Sequence, residues 1–181
     1  MTLWLVRHAR PLAADGLCYG RLDLPVDAGA AQDLARELAT QLPLGLVLRT
    51  SPSSRCLQLA QLLHQLRPDL PPTSDPRLQE LDFGTWEGRT WDAIGPAAVQ
   101  AWTDAFAQHQ PGGGESVATF LRRVGDAFDE AAASTAGQAW ITHAGVIRAA
   151  RLLAAGRREV RSAADWPAGP LPFGHCEPIT W

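Results

Sequence analysis

The sequence contains no lysine. All sixteen of its basic residues are arginine, set against nineteen acidic ones, for a net charge of −3. A nucleic-acid binder shows a basic excess or a clustered basic stripe; these arginines are scattered and outnumbered, which disfavours that class. No uninterrupted apolar stretch reaches the roughly 18 residues of a membrane-spanning helix. An export signal is missing as well: Met1 to Val6 runs straight into Arg7, without a charged start or a long apolar centre, so the expected location is the cytoplasm. Cysteine is scarce. Cys18, Cys56 and Cys176 are far apart, odd in number and form no C-x-x-C pair, so reduced, mostly buried thiols are expected rather than a metal or disulfide framework.

Core-forming residues are present in quantity. Leu, Ile, Val and Phe account for 41 of the 181 residues, above the roughly 20% below which disorder sets in. A chain of this size buries roughly 70% of its unfolded surface and needs no covalent or metal staple. One domain spanning residues 1–181 is expected.

Leu3 to Val6 is a short, wholly apolar run, as in a strand covered on both faces. From Asp27, Leu34, Leu38 and Leu42 recur every four residues beside Ala31 and Ala35, a helical stripe that Pro43 ends. Leu44 to Leu48 reads as the second strand. Ser51 and Pro52 then suit the start of a helix carrying Leu59, Leu62, Leu63 and Leu66. Pro71 to Pro76 reads as a loop, and Leu78 to Phe83 as a site for a short third strand. Residues 84–114 form an irregular, lid-like segment holding Trp86, Trp91, Trp102 and Phe106 on one or two short helices. Ser116 caps a long helix with Val117, Phe120, Leu121, Val124 and Phe128 on one face, closed by Gly137. Ala139 to Thr142 is a strand, Val146 to Leu153 a helix, and Cys176 to Trp181 an edge-strand candidate. The order predicts an α/β fold: a three-layer sandwich with a mainly parallel central sheet and helices on both faces.

In such sheets ligands bind beyond the carboxyl ends of the strands. The first strand ends in Arg7-His8, the second in Arg49-Thr50-Ser51 with Arg55 close behind, and the strand before Ala144 in His143. Two imidazoles and two guanidiniums therefore meet at one sheet edge, where helices beginning near Ser51 and Ala144 also aim main-chain N–H groups. That collection suits a phosphate monoester, a compact dianion whose oxygens match the planar fork of arginine. A lone histidine at a strand end is ordinarily structural; the convergence of several strand ends sets His8 and His143 apart. His64, His109 and His175 fit no pattern and are read as structural or surface residues. Gly112 to Gly114 lacks the G-K-[ST] ending of a phosphate loop and reads as a turn. His8 and His143 alone are too few for a zinc site.

These residues stand in a familiar order. Arg7-His8-Ala9, Ser51-Pro52-Ser53-Ser54-Arg55, Glu80 through Gly88, Pro111 through Ser116, and Thr142-His143-Ala144-Gly145-Val146-Ile147-Arg148 resemble the successive motifs of the histidine phosphatase (phosphoglycerate-mutase-like) superfamily. Ala9 and Ala144 stand where that family often has Gly, and Arg10-Pro11 where an acidic residue and Thr are common. Cys18 through Pro25 looks most like the α-ribazole phosphatase branch, which removes the 5′-phosphate of the nucleotide destined to be cobalamin's lower ligand.

The resemblance implies His8 as nucleophile, its second ring nitrogen held by an acceptor. Arg7, Arg55 and His143 would hold the phosphoryl oxygens, with Ala144 at the rim. Glu80 would be the general acid, with Asp82 and Glu87 in reserve. Tyr19, Arg21 and Arg10, on the loop after His8, are candidates to touch the leaving group. Trp86, Trp91 and Trp102 either stack on substrate or simply pack. The resemblance implies no cofactor and no metal, a small-molecule phosphomonoester as partner, and neither nucleic acid nor membrane. Other readings stay open: a sugar, phosphohistidine or broad-specificity phosphatase, a phosphoglycerate mutase, or a non-catalytic phosphate-binding module. Mutases of the family carry a longer, more basic insertion, whereas residues 84–114 hold only Arg89.

Overall fold

The computed structural model describes residues 2–181; residue 1, included in the single-domain reading, lies outside them. Strand β1 (Thr2–Arg7) leads through a long loop to helix α1 (Ala28–Gln41), strand β2 (Val47–Thr50), helix α2 (Ser54–Leu66) and strand β3 (Pro72–Ser74). Two short helices follow, α3 (Trp91–Ile94) and α4 (Pro96–Asp104), then the long α5 (Val117–Ala133), strand β4 (Gln138–Thr142), helix α6 (Ala144–Ala154) and strand β5 (Cys176–Thr180). The sheet order is β3-β2-β4-β1-β5, parallel except for β5, which runs antiparallel along β1.

Alternation along the strands builds the three layers. Leu3, Leu5 and Trp140 point to one face, where they pack with Phe120, Leu121, Val124 and Phe128 of α5 and Ile147 and Leu152 of α6. Val6, Leu48, Ala139 and Ile141 point to the other, against Leu34 and Leu38 of α1 and Leu59 and Leu63 of α2. Each fully buried leucine of this kind contributes about 1.5–3 kcal/mol. Asp27 caps α1 by accepting from the Ala30 amide, and Ser116 caps α5 by accepting from Thr119, as its position predicts.

Several boundaries differ from expectation. The second strand is displaced from Leu44–Leu48 to Val47–Thr50, because Gly45 takes a left-handed turn (φ 79°) first. The third strand lies at Pro72–Ser74, inside the predicted loop, while 78–83 finishes a short 3-10 turn and stays irregular. Pro72 is tolerated because it opens an edge strand. Helix α5 stops at Ala133, with Ser134 rather than Gly137 at its end. Ser53, not Ser51, stands at the start of α2. Among the described residues, no helix is long and apolar enough to cross a membrane. The thiols are unpaired, Cys18 and Cys56 buried and Cys176 partly so; burial pushes Cys56 up to about 12.

Candidate active site

Parallel register brings the histidines together. Arg7 on β1 pairs with Thr142 on the adjacent β4, so the next residues, His8 and His143, leave the sheet side by side. The His8 amide extends the ladder by donating to the Thr142 carbonyl (3.0 Å), and Ser51 leaves β2 in the same way, donating to Ile141 (2.9 Å). The two imidazoles meet edge to face with centroids 5.1 Å apart. His8, His143 and Arg55 are each only 1% exposed.

His8 Nδ1 lies 2.7 Å from the Ala9 carbonyl. A carbonyl only accepts, so Nδ1 carries the proton and Nε2 keeps its lone pair. Burial, reinforced by the Arg55 and Arg7 charges and opposed by the Ala9 bond, pushes the His8 pKa down to about 3. His143 is also held well below its ordinary value, by burial first and then by His8 and Arg55. Its Nδ1 faces Arg55 Nη2 at 3.3 Å and its Nε2 faces Ser51 Oγ at 2.8 Å. Since guanidinium only donates, His143 carries its proton on Nε2 and gives it to Ser51. Ser51 thus orients the second imidazole, a role hidden by its apparent fitness as a helix cap.

The guanidiniums are anchored by main-chain carbonyls. Arg55 donates to Leu22 (2.9 Å) and Gly20 (2.5 Å) and lies over the Tyr19 ring at 5.7 Å. Arg7 donates to the Leu171 carbonyl and stacks 3.9 Å over Phe173. The Nε atoms of both arginines are buried and have no hydrogen-bond partner among the described residues. An anion reaching them meets charged donors already desolvated, where such bonds are strongest. Phe173, whose ring is 5.7 Å from that of His8, covers this imidazole from the C-terminal segment. No helical or strand periodicity marks residues 166–175, so the sequence offered no signal for this cover.

Glu80 reaches the same edge from the irregular segment. Its Oε2 accepts from the Gly145 amide (2.9 Å) and its Oε1 from Leu81 (3.0 Å). Glycine at 145 leaves room for that carboxyl: a Cβ there would stand 2.1 Å from Glu80 Oε1 and push the carboxyl out of its present place. Arg123 on α5 holds the Glu80 strand of chain: its guanidinium donates to the carbonyls of Arg77, Gln79 and Glu80 and grips both oxygens of Glu115. Arg123 lies outside every motif of the sequence, so only its fold neighbours reveal this positioning role.

The other acidic candidates are committed elsewhere. Glu87 accepts from the amides of Arg21, Leu22 and Phe83, and Asp82 from Gly84, while Arg21 turns its guanidinium to Asp82 (3.5 Å) and Glu115 (3.6 Å). Arg10 lies 5.4 Å from the Phe173 ring. The Gly112–Gly114 run is a tight clasp: a Cβ on Gly112 would meet the Phe83 carbonyl at 2.2 Å, and one on Gly114 the Asp82 carbonyl at 2.2 Å. It locks the aromatic segment beside Glu80.

That segment walls a cavity of about 300 Å³. Tyr19, Glu80, Ala144, Gly145 and Arg148 form its side toward the histidines, and Phe83, Trp91, Trp102, Phe106, Phe120 and Trp166, with Leu17, Leu81 and Val117, the remainder. Trp91 and Trp102 are parallel within 7°, and Phe83 stands at 89° to both. Burial pushes the Tyr19 hydroxyl's pKa up, against the pull of Arg7 and Arg55. Trp86 packs instead against Cys18 and Ile94. Among the described residues, no three His, Cys, Asp or Glu side chains converge to hold a metal ion.

The profile of the histidine phosphatase superfamily (branch 1) matches residues 3–166. No curated protein sequence matches the chain. Among solved structures, TTHB049 from Thermus thermophilus is 32% identical with a TM-score of 0.74, covering 100% of this chain and 94% of its own. A structure described as a phosphoglycerate mutase from the same organism is 32% identical with a TM-score of 0.73, at the same coverage. Mycobacterial hydrolase 2 is 27% identical over 84% of this chain and 71% of its own, with a TM-score of 0.71.

Proposed function

The chain belongs to branch 1 of the histidine phosphatase superfamily, and from that membership, which supports phosphatase or mutase chemistry, we propose that it is a phosphomonoesterase working through a phosphohistidine. One observation carries the reading: a buried, neutral His8 with Nδ1 tied to the Ala9 carbonyl, beside His143 and two anchored guanidiniums.

His8 Nε2 attacks phosphorus as the bond to the ester oxygen breaks. Arg7 and Arg55 hold the phosphoryl oxygens while charge spreads over them, whereas His143, expected to share that task, has Nδ1 engaged by Arg55 and Nε2 by Ser51 and packs beside His8 instead. The Glu80 carboxyl gives its proton to the departing alkoxide, then takes one from the water that attacks the phosphohistidine. Inorganic phosphate leaves, His8 is regenerated neutral, and no cofactor enters the balance.

The preferred substrate, on this reading, is α-ribazole 5′-phosphate. An aromatic cavity next to Glu80 suits the benzimidazole base of that nucleotide. The similar structure described as a phosphoglycerate mutase keeps mutase activity as the second reading. Against it, Arg148 is the single cationic side chain among the described residues lining the ring-lined cavity, and it is already anchored on the carbonyls of Pro167 and Gly169.

The test is phosphate release from a panel of monoesters, together with acid-quench trapping of labelled enzyme. Wild type is expected to form an acid-labile phosphoenzyme and to release phosphate from p-nitrophenyl phosphate, with α-ribazole 5′-phosphate the best ester. His8→Ala is expected to lose the phosphoenzyme and at least about 10³-fold in rate. Full activity in that variant would sink the mechanism, and isomerised 3-phosphoglycerate without net phosphate release would favour the mutase.

A further inference from the structure

The chain ahead of β5 reads Pro170-Leu171-Pro172-Phe173-Gly174, a stiff run. The His175 amide donates to the Pro172 carbonyl (3.1 Å) and closes a turn with Phe173 and Gly174 at its centre. Gly174 takes φ 77°, a left-handed value natural to glycine at the third position of a turn. The turn is stitched to the end of β1 on both sides: the Gly174 amide donates to the His8 carbonyl (3.2 Å), and the Arg7 amide to the His175 carbonyl (2.8 Å). Main-chain bonds thus fix Phe173 relative to Arg7 and His8. Its ring lies under the Arg7 guanidinium, with Cζ 3.9 Å from the centroid, and 5.7 Å from the His8 ring.

We propose that Phe173 is a positioning residue of the phosphate site: its ring fixes the plane of the Arg7 guanidinium by stacking, so that the arginine is oriented without a polar partner competing for its donors. The proposal rests on the phosphatase reading, which takes Arg7 as a phosphoryl binder, and adds the device that aims it. A guanidinium has a face and an edge, and its N–H donors all lie along the edge. At Arg7, Nη1 donates to the Leu171 carbonyl, while Nε is buried with no partner among the described residues. A carboxylate orienting this side chain would occupy that edge and cancel its charge. An aromatic ring grips the face instead and leaves both the charge and the remaining donors to an anion. One in-plane bond from Leu171 and one ring against the face constrain the group in two perpendicular directions, and both come from the same turn.

The experiment measures the affinity for inorganic phosphate by calorimetry, and kcat/KM for p-nitrophenyl phosphate, in a double-mutant cycle. Phe173→Leu keeps an apolar side chain without a π face, and is expected to lower both quantities by about tenfold. In an Arg7→Met background the same change is expected to cost less than about twofold, because no guanidinium is left to aim. A structural role would give the same loss in both backgrounds, and that result overturns the proposal. Wild-type phosphate affinity in Phe173→Leu overturns it as well. Pentafluorophenylalanine incorporated at position 173 gives a check that keeps the shape and the fold: it reverses the charge distribution of the ring face, and is expected to weaken phosphate binding by about fivefold or more. Unchanged affinity there removes the stacking role even if Phe173→Leu fails to fold. Calorimetry needs no turnover, so the two readings fail separately. Phosphate binding without release of phosphate from any ester defeats the phosphatase reading and leaves Phe173 to be judged on affinity. Normal turnover with no coupling between Phe173 and Arg7 defeats the positioning role alone.

Discussion

The two halves of the site are built in opposite ways. The phosphate half stands on adjacent parallel strand ends, its register set by main-chain pairing from Arg7↔Thr142 onward, and its groups are polar, charged and almost fully buried. The proposed leaving-group half is gathered from the turn at Phe83, the short helices α3 and α4, the start of α5 and Trp166, and is walled mainly by rings. Sheet register is stiff, so the first half holds atoms for one kind of bond making. The second half depends on side-chain packing clasped by glycines, so it sets which molecule is presented. Glu80 joins them: its carboxyl is pinned by the Gly145 amide at the start of α6, while its main chain is gripped by Arg123.

This division has measurable consequences. The largest difference is expected at the junction. Glu80→Gln removes the proton donor and should slow alkyl phosphates by about 10²–10⁴-fold. It should affect p-nitrophenyl phosphate far less, because that leaving group departs without protonation. Equal losses for both esters would move the acid elsewhere. A smaller but uniform effect is expected in the phosphate half. Arg55→Lys keeps the charge and loses the planar fork, and should lower kcat/KM by about 10²-fold for every ester alike. A change in substrate ranking would show that the halves are not separable.

The smallest effect is on stability against pH. His8 and His143 are held neutral in the fold, His8 down to about 3, whereas an unfolded imidazole takes a proton near pH 6.5. Below pH 6.5 the unfolded chain binds protons that the native state refuses, so stability falls as pH drops and the His8 share levels off near pH 3. The slope is on the order of 1.4 kcal/mol per pH unit for each such histidine. Urea midpoints at pH 7.5, 6 and 5 should show it, with a shallower slope in His8→Asn. Identical slopes in parent and variant would mean that His8 is protonated in the fold.

Much of the phosphate half is legible in the sequence. Leu3–Val6 and Ala139–Thr142 are unmistakable buried strands, and residues at the ends of parallel strands share an edge whatever the loops do. Glu80 is legible only as part of a motif, since its segment forms no strand. The third strand escapes a local reading because Pro71 and Pro72 signal a loop, while pairing of Pro72–Ser74 with β2 stabilises extended chain at the sheet edge. Ser51 looks like a cap because local sequence says nothing of an imidazole arriving from 92 residues away.

Hydrophobic spacing and the order of the motifs settled the α/β architecture and the chemistry class, because both are carried by residues close along the chain or by a fixed strand order. The covering of His8 by Phe173 and the grip of Arg123 on the Glu80 main chain belong to packing alone. Each depends on groups distant in sequence meeting within a few ångströms, and no periodicity or spacing encodes such a meeting.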